Sequence, residues 1–235
     1  MPLAENIKCI QQKIAAAAIA AGRDPSEVTL VAATKVQTSD TIRSAIAAGI
    51  TVCGENRVQE LTSHLEDNAY EGAELHFIGH LQTNKVKYIV GKVALIHSVS
   101  SDRLMEAINT QAAKVSTVQD ILLEVNVGRE ESKSGYFPEE VMDAARKAAS
   151  LPNIRLRGLM AIPPVAEEPG QNRPYFARMR ELFVDIKGLL GDNVCVIDSL
   201  SMGMSDDYED AIAAGATLVR VGTAIFGARP PRITE

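Results

Sequence analysis

The regular alternation of short apolar runs with amphipathic stretches is the feature that most limits how this chain can fold. Strand-like runs lie at residues 28–34, 50–53, 75–78, 94–99, 120–127, 154–162, 194–200 and 217–221. Helical periodicity occupies residues 38–48, 57–66, 83–90, 102–114, 138–149, 174–190 and 206–214, and an additional amphipathic helix begins near Leu3. Strands that alternate with helices pair in parallel. The pattern predicts an α/β fold, a single (β/α)8 TIM-type barrel with an extra N-terminal helix, as one domain over residues 1–235. A doubly wound open sheet is the alternative.

Charge and cysteine content exclude several classes of function. The formal net charge is -6 and the pI is near 5.4, whereas nucleic-acid and anionic-membrane surfaces need concentrated Lys and Arg. Cys9, Cys53 and Cys195 are far apart and form no CxxC pair, so neither a disulfide framework nor a zinc site is indicated. The N-terminal segment lacks the apolar run of a signal peptide or membrane span. We expect a cytoplasmic protein.

Lys35 ends the first strand-like run, VTLVAATK. In a parallel barrel the active site forms at the carboxyl ends of the strands, and there the Lys35 amine would lie among small apolar neighbours. A partly desolvated amine is partly neutral and can form an imine with an aldehyde or ketone. A solvated lysine in a strand-to-helix loop is the alternative.

The last two strands are followed by small-residue turns that suit a phosphate group. Ser205 precedes a predicted helix at Asp206, and Gly222 with Thr223 follows the eighth strand. Exposed backbone N–H groups bind phosphate, and barrels often hold one after strands seven and eight. An N-capping serine and glycines that only permit tight turns are the alternatives.

Arg220 lies inside the last strand, where an unpaired guanidinium would be unfavourable. Its partner could be a ligand atom, such as a planar ring nitrogen, or a carboxylate such as Glu55 or Glu124. Asn56 and Glu124 also follow apolar runs and are expected at the rim of the same site.

The histidines do not predict a metal site. His76, His80 and His97 show neither i, i+4 spacing nor an HExxH motif, and we expect them in the core or at the rim. His64 lies on a predicted helix and is expected at the surface.

Several ordered motifs resemble those of the pyridoxal-phosphate-binding homeostasis proteins, the YggS/PROSC family, whose barrel is similar to the N-terminal domain of bacterial alanine racemase. The motifs cover almost the whole chain: GENRVQE at 54–60, HFIG with LQTNKVK within 76–87, KSG at 133–135, RGLM at 157–160, LSMGMS at 200–205 and VRVGTAIFG at 219–227.

The resemblance implies a role for each matching residue. Lys35 would carry pyridoxal 5'-phosphate as a Schiff base (an internal aldimine), Arg220 would face the pyridine nitrogen, and Ser205, Gly222 and Thr223 would hold the phosphate. It also assigns Asn56 and Met202 to the cofactor site, and it assigns no residue a catalytic role. Thr34 and the segment 36–38 depart from the family's usual serine and Thr-Lys-Pro.

These assignments imply a cofactor carrier rather than an enzyme. An arginine cannot protonate a ring nitrogen readily, so the ring would be a poor electron sink. Alanine racemases, which this barrel resembles, take a second base from the separate C-terminal domain of a partner subunit. No such domain is expected after Glu235. We therefore expect a protein of pyridoxal phosphate homeostasis, with apo-enzymes that use the cofactor as partners, and a monomer. The alternatives are a small amino-acid racemase and a Schiff-base aldolase that needs no cofactor.

Overall fold

The strands form one closed parallel barrel. In the computed structural model, which describes residues 2–191 and 196–227, the strands pair in chain order and the first pairs with the last. They are β1 Thr29–Ala33, β2 Val52–Glu55, β3 Glu74–Phe77, β4 Leu95–Val99, β5 Gln119–Val125, β6 Ile154–Ala161, β7 Ser199–Ser201 and β8 Leu218–Val221. The (β/α)8 prediction is confirmed, and the open-sheet alternative is wrong because β1 and β8 are hydrogen-bonded to each other.

Helices follow the strands around the outside of the barrel. They are α1 Leu3–Ala20, α2 Ser39–Ala47, α3 Val58–Glu66, α4 Asp102–Lys114, α5 Val141–Ser150, α6 Arg173–Leu190, α7 Tyr208–Ala213 and α8 Thr223–Phe226. Side-chain caps fix the starts of α2 and α4: the Thr38 hydroxyl accepts from the Thr41 N–H at 3.2 Å, and that of Ser101 accepts from the Leu104 N–H at 3.3 Å. The extra N-terminal helix, α1, packs beside α8, and Asn6 Nδ2 donates to the Ile225 carbonyl at 2.9 Å.

Some predicted elements differ from those observed. The predicted helix at 83–90 is a 3-10 helix over Thr83–Tyr88, and α7 begins at Tyr208 because residues 203–207 form the turn after β7. Strand β7 occupies only 199–201; Val194 and Cys195 of the predicted run lie outside the described residues. Helix α8 was not predicted, because its four residues are too few to show a helical period.

Alternating residues on each strand divide the core into two layers. The larger layer lies between the strands and the helices, where Phe77, Leu156 and Phe176 are fully buried. The smaller layer fills the barrel interior with the side chains Val31, Val52, Leu95, Leu122, Met160 and Leu218. Because side chains alternate along a strand, the residue two positions after each of these also faces the barrel interior, nearer the carboxyl end of the strand. Arg220, His97 and Glu124 occupy such positions after Leu218, Leu95 and Leu122 respectively.

Other sequence expectations concern cysteines, membranes and metals. Cys9 and Cys53 are free thiols. Within residues 2–191 and 196–227, no helix has both the length and the apolar character that a bilayer span requires, and no cluster of His, Cys, Asp or Glu could hold a metal ion. His64 is only 9% exposed, because its ring packs edge-on against Tyr70, so its expected surface position was wrong.

Candidate functional site

A cavity of about 700 Å³ opens at the carboxyl ends of the strands, within the range of roughly 300–1,000 Å³ that small-molecule sites occupy. Its wall is formed by loops from most of the strands. Of the predicted cofactor residues, six line it: Lys35, Asn56, Ser205, Arg220, Gly222 and Thr223. Met202 does not line it; this side chain is fully buried in the outer core layer, and Met204 faces the cavity instead. A cofactor role for Met202 stays a prediction.

Lys35 lies two residues beyond the end of β1, half-buried at the mouth of the barrel. The next residue, Val36, has a φ of 60°, in the left-handed region that a β-branched side chain rarely adopts. Its N–H donates to Glu60 Oε2 at 2.8 Å. The loop after Lys35 is therefore held in an unfavourable conformation by a contact from α3.

The register between β1 and β8 brings the predicted phosphate residues beside this lysine loop. Ala32 is paired with Val221, so Gly222 lies level with Ala33. A Cβ on Gly222 would come 3.3 Å from the Ala33 Cβ, and the Gly222 N–H donates to Ser205 Oγ at 3.4 Å. Gly222 and Thr223 form the start of α8, so small groups and backbone donors lie at this side of the cavity.

Arg220 forms part of the floor of the cavity and is only 4% exposed. Its Nη2 donates to the Ala161 carbonyl at 2.9 Å, and its Nη1 donates to Ser201 Oγ. Burial lowers its pKa to about 10, so the guanidinium keeps its charge at neutral pH. Within the described ranges it forms no ion pair, so the alternative of a salt bridge with Glu55 or Glu124 is wrong.

A chain of buried polar groups continues from Ser201 into the barrel. His97 Nδ1 lies 2.9 Å from Ser201 Oγ, and His97 Nε2 lies 3.0 Å from His76 Nδ1. His76 Nε2 in turn lies 3.5 Å from Glu74 Oε2, at the amino end of the barrel. Both rings are buried in the core, whereas His80 is exposed at the cavity rim, which fits the expectation of core or rim positions for the three histidines.

Asn56 brings an acceptor without a partner to the cavity. Its Oδ1 is buried and has no hydrogen-bond partner among the described residues. The backbone of Asn56 is fixed by a very close neighbour, since a Cβ on Gly79 would lie 2.1 Å from the Asn56 carbonyl oxygen. Only glycine allows the loop after β3 and the loop after β2 to approach in this way.

Glu55 lies next to Asn56 but outside the cavity. Its carboxylate accepts from Thr34 Oγ1 at 3.2 Å, from the Asn56 N–H at 2.8 Å and from the Tyr70 hydroxyl at 3.4 Å. Burial raises the pKa of Glu55 to about 7 and the nearby charge of Glu60 adds to the shift, while the N–H groups of Asn56 and Arg57 and the Thr34 hydroxyl oppose it. This network supports the loop that carries Lys35, because Thr34 immediately precedes it.

The cavity extends beyond the predicted cofactor residues to a second polar wall. Glu124, expected at the rim, accepts from Ser134 Oγ at 3.3 Å, and burial raises the pKa of its carboxyl group. Lys133 also lines this wall; its Nζ donates to the Pro163 carbonyl at 3.0 Å and lies 2.6 Å from Glu130 Oε1. The KSG motif was the available signal for this wall, but its spacing alone does not indicate which strand it meets.

Comparisons with known proteins identify the relatives of this chain. The family described as "Alanine racemase, N-terminal domain" matches residues 3–230. The "Pyridoxal phosphate homeostasis protein" of Aquifex aeolicus is 43% identical over 97% of this chain and 99% of its own length. That of Pseudomonas aeruginosa is 44% identical over 97% and 96%. The structure of PipY from Synechococcus elongatus with PLP bound is similar, with a TM-score of 0.82 and 30% identity over 96% of this chain and all (100%) of that one.

Proposed function

Since this chain belongs to the pyridoxal phosphate homeostasis proteins of the alanine racemase N-terminal domain family, we propose that it binds pyridoxal 5'-phosphate at the carboxyl end of its barrel. Its role is then the homeostasis of that cofactor in the cell. The observation that carries this proposal is the convergence of the Lys35 amine, the Arg220 guanidinium and the Gly222–Thr223 turn on one cavity.

The residues present fit the chemical groups of this cofactor. An aldehyde needs a primary amine, which Lys35 supplies, and a phosphate needs hydroxyl and N–H donors, which Ser205, Gly222 and Thr223 supply. The partnerless Oδ1 of Asn56 calls for a donor inside the cavity. When bound, pyridoxal phosphate supplies an aldehyde that condenses reversibly with amines and a ring that can accept electrons.

Arg220 would limit what the cofactor can do. Its two described hydrogen bonds hold the guanidinium at the cavity floor, and with a pKa of about 10 it stays protonated at neutral pH. A guanidinium donates hydrogen bonds and does not readily release a proton. A ring nitrogen beside it would receive a hydrogen bond and no proton, which leaves the ring a weak electron sink. Such a site favours holding the cofactor over turning it over.

We therefore place this protein among cofactor carriers rather than enzymes. In this proposal Lys35 attaches the cofactor covalently, and the partners are cytoplasmic apo-enzymes that need it. The protein acts as a monomer and as one barrel domain over residues 1–235.

The test is borohydride reduction of the protein supplemented with the cofactor, followed by peptide mass mapping. We expect one pyridoxyl group, on Lys35, with no adduct in Lys35→Ala and a normal adduct in the surface control Lys87→Ala. A group on Lys133, which lines the same cavity, would contradict the assignment of Lys35. Absence of any adduct in the wild-type protein would contradict the proposed covalent site.

A small racemase is the second candidate, because Glu124, whose pKa burial raises above its ordinary value, gives the cavity a further group that can accept or release a proton. Exchange of the Cα hydrogen of alanine with deuterated solvent distinguishes the two functions. The carrier proposal expects no exchange above that of free pyridoxal phosphate. Rapid exchange that Glu124→Gln abolishes would establish the racemase instead.

A further inference from the structure

A line of polar side chains crosses the otherwise apolar interior of the barrel. It begins at Arg220 on the cavity floor, passes through Ser201, His97 and His76, and ends at Glu74. The first four are buried, whereas the Glu74 side chain is 68% exposed at the opposite, amino end of the barrel. Polar groups in a barrel core are unfavourable unless they are fully hydrogen-bonded, so this line calls for an explanation.

The hydrogen bonds along the line can run in only one satisfactory direction. Arg220 has no acceptor atom, so Ser201 Oγ must accept from it and is free to donate its own proton to His97 Nδ1. His97 then carries its proton on Nε2 and donates to His76 Nδ1. His76 likewise carries its proton on Nε2, directed at the Glu74 carboxylate. In this direction the donors of Ser201, His97 and His76 each have an acceptor.

The opposite direction leaves two groups unsatisfied. If His97 Nδ1 carried the proton, Ser201 would accept twice and its hydroxyl proton would have no acceptor within the described residues. The proton of His76 would move to Nδ1, and the bare Nε2 would face the carboxylate of Glu74. Buried donors and acceptors without partners are unfavourable by about 1–3 kcal/mol each. The arginine therefore selects the tautomer of both rings.

Both imidazoles are neutral in this arrangement, in agreement with their surroundings. Burial lowers the pKa of His97 well below its ordinary value, and the neighbouring His76 and Arg220 lower it further. Burial lowers the pKa of His76 to about 4, although Glu74 opposes this shift. The other charged groups near the ends of the line are Glu124 and Asp207 by Arg220 and the Asp120–Arg157 pair at the amino end.

The orientation of Arg220 depends directly on this line. Its guanidinium has two described anchors, the Ala161 carbonyl and Ser201 Oγ. A hydroxyl that donates to a neighbouring imidazole is polarised and becomes a stronger acceptor, because hydrogen bonds in a chain reinforce one another. Without His97 the Ser201 hydroxyl could rotate, and one of the two anchors would weaken.

We propose that His97 and His76 are positioning residues. They fix the plane of the Arg220 guanidinium through Ser201, and the guanidinium in turn orients the cofactor. This role rests on the proposed binding of pyridoxal phosphate. The two histidines do not touch the cavity themselves, since neither is among its lining residues. They act on the ring nitrogen of the cofactor only through the arginine.

The test compares three variants of the full chain by cofactor titration and by the visible absorption band of the bound cofactor. His97→Leu removes both ring nitrogens, and Ser201→Ala removes the anchor with a smaller change to the core. We expect each to weaken cofactor binding about tenfold, the loss that one hydrogen bond of about 1.4 kcal/mol represents, and to shift the band. His97→Asn places an amide oxygen near the position of Nδ1, and we expect it to restore affinity to within about twofold.

His64→Leu is the matched control, since His64 is a buried histidine outside the barrel interior, and it should change neither readout. Unchanged affinity and band in both His97→Leu and Ser201→Ala would overturn the positioning role, as would failure of His97→Asn to restore them. Ser201→Ala decides the question if His97→Leu does not fold. The proposed function is tested separately: if the wild-type protein forms the Lys35 adduct, cofactor binding stands whichever of these outcomes is observed.

The tautomers can be measured without cofactor. Nitrogen-15 correlation spectra of the histidines at neutral pH should show protonated Nε2 and bare Nδ1 for both His97 and His76. A proton on Nδ1 of either ring would overturn the directed chain, whether or not the protein binds pyridoxal phosphate.

Discussion

Replacing Arg220 with methionine should separate cofactor binding from stability. The charged guanidinium is buried without an ion pair in the described part of the chain, and burial lowers its pKa from 12.5 to about 10. A lowering of that size means that the charged form destabilises the folded state by about 3 kcal/mol at every pH below about 10. Methionine has a similar length and removes this penalty.

The substitution also removes two hydrogen bonds from the charged guanidinium, to Ala161 and Ser201, whose net contribution is about 1.5–3 kcal/mol each. The removed desolvation penalty offsets half of this loss or more. We expect the unfolding free energy of the cofactor-free protein to fall by no more than about 3 kcal/mol, a shift of at most about 6–12 °C in Tm. Cofactor affinity should fall at least tenfold, since a hydrogen bond from a charged group contributes about 1.5–3 kcal/mol.

The assays are urea denaturation of the cofactor-free protein and fluorescence titration with pyridoxal phosphate. Arg157→Met is the matched control: Arg157 bonds to Asp120 at 2.7 Å and to Asp198 at the other end of the barrel, so it should reduce stability and leave affinity unchanged. A loss of more than about 3 kcal/mol in Arg220→Met, with unchanged affinity in the folded fraction, would refute the reasoning and make Arg220 a structural residue.

Further predictions concern the supports of the site. Val36→Asn should raise the unfolding free energy by about 1 kcal/mol in urea, because Asn tolerates the left-handed conformation at φ 60°; no gain would mean that Val36 is not strained. Ionisation of buried Glu55, whose folded pKa is about 7, should lower stability as pH rises from about 4.5 through 7. Glu55→Gln should flatten that part of the plot of unfolding free energy against pH, and an unchanged slope would show that Glu55 does not cause it. Gly158→Ala should destabilise by more than about 3 kcal/mol, since its Cβ would lie 1.9 Å from the Ser199 oxygen; a normal melting curve would refute the clash.

Much of the fold follows from the sequence, because each strand and most helices show their own periodicity. The extra helix α1 and the carboxyl-end position of Lys35 depend on such local patterns and on the barrel rule. The short 3-10 helix at Thr83–Tyr88 and the four-residue α8 cannot be predicted from such patterns, since their lengths are set by packing against neighbouring elements.

Site residues could be predicted where they directly follow a strand. They were harder to predict where the direction of the side chain decides whether the residue faces the cavity. Met202 and Met204 both belong to the LSMGMS motif, but only Met204 faces the cavity, because the turn after β7 determines which side each residue faces. The link between His76 and His97 joins residues 21 positions apart on adjacent strands. Their inward direction depends on register, which the sequence does not give.

The close approach at Gly79 has an evolutionary consequence. The Asn56 carbonyl occupies the space that any side chain at position 79 would need. A change at 79 would therefore displace Asn56 and the cavity acceptor it carries, so the two loops cannot vary independently. The glycine of the HFIG motif lines the cavity without offering it a side chain, but a homologue that loses this glycine should also show a rebuilt GENRVQE segment. Motifs of this kind can identify relatives through backbone packing alone, even where the chemistry of the site has changed.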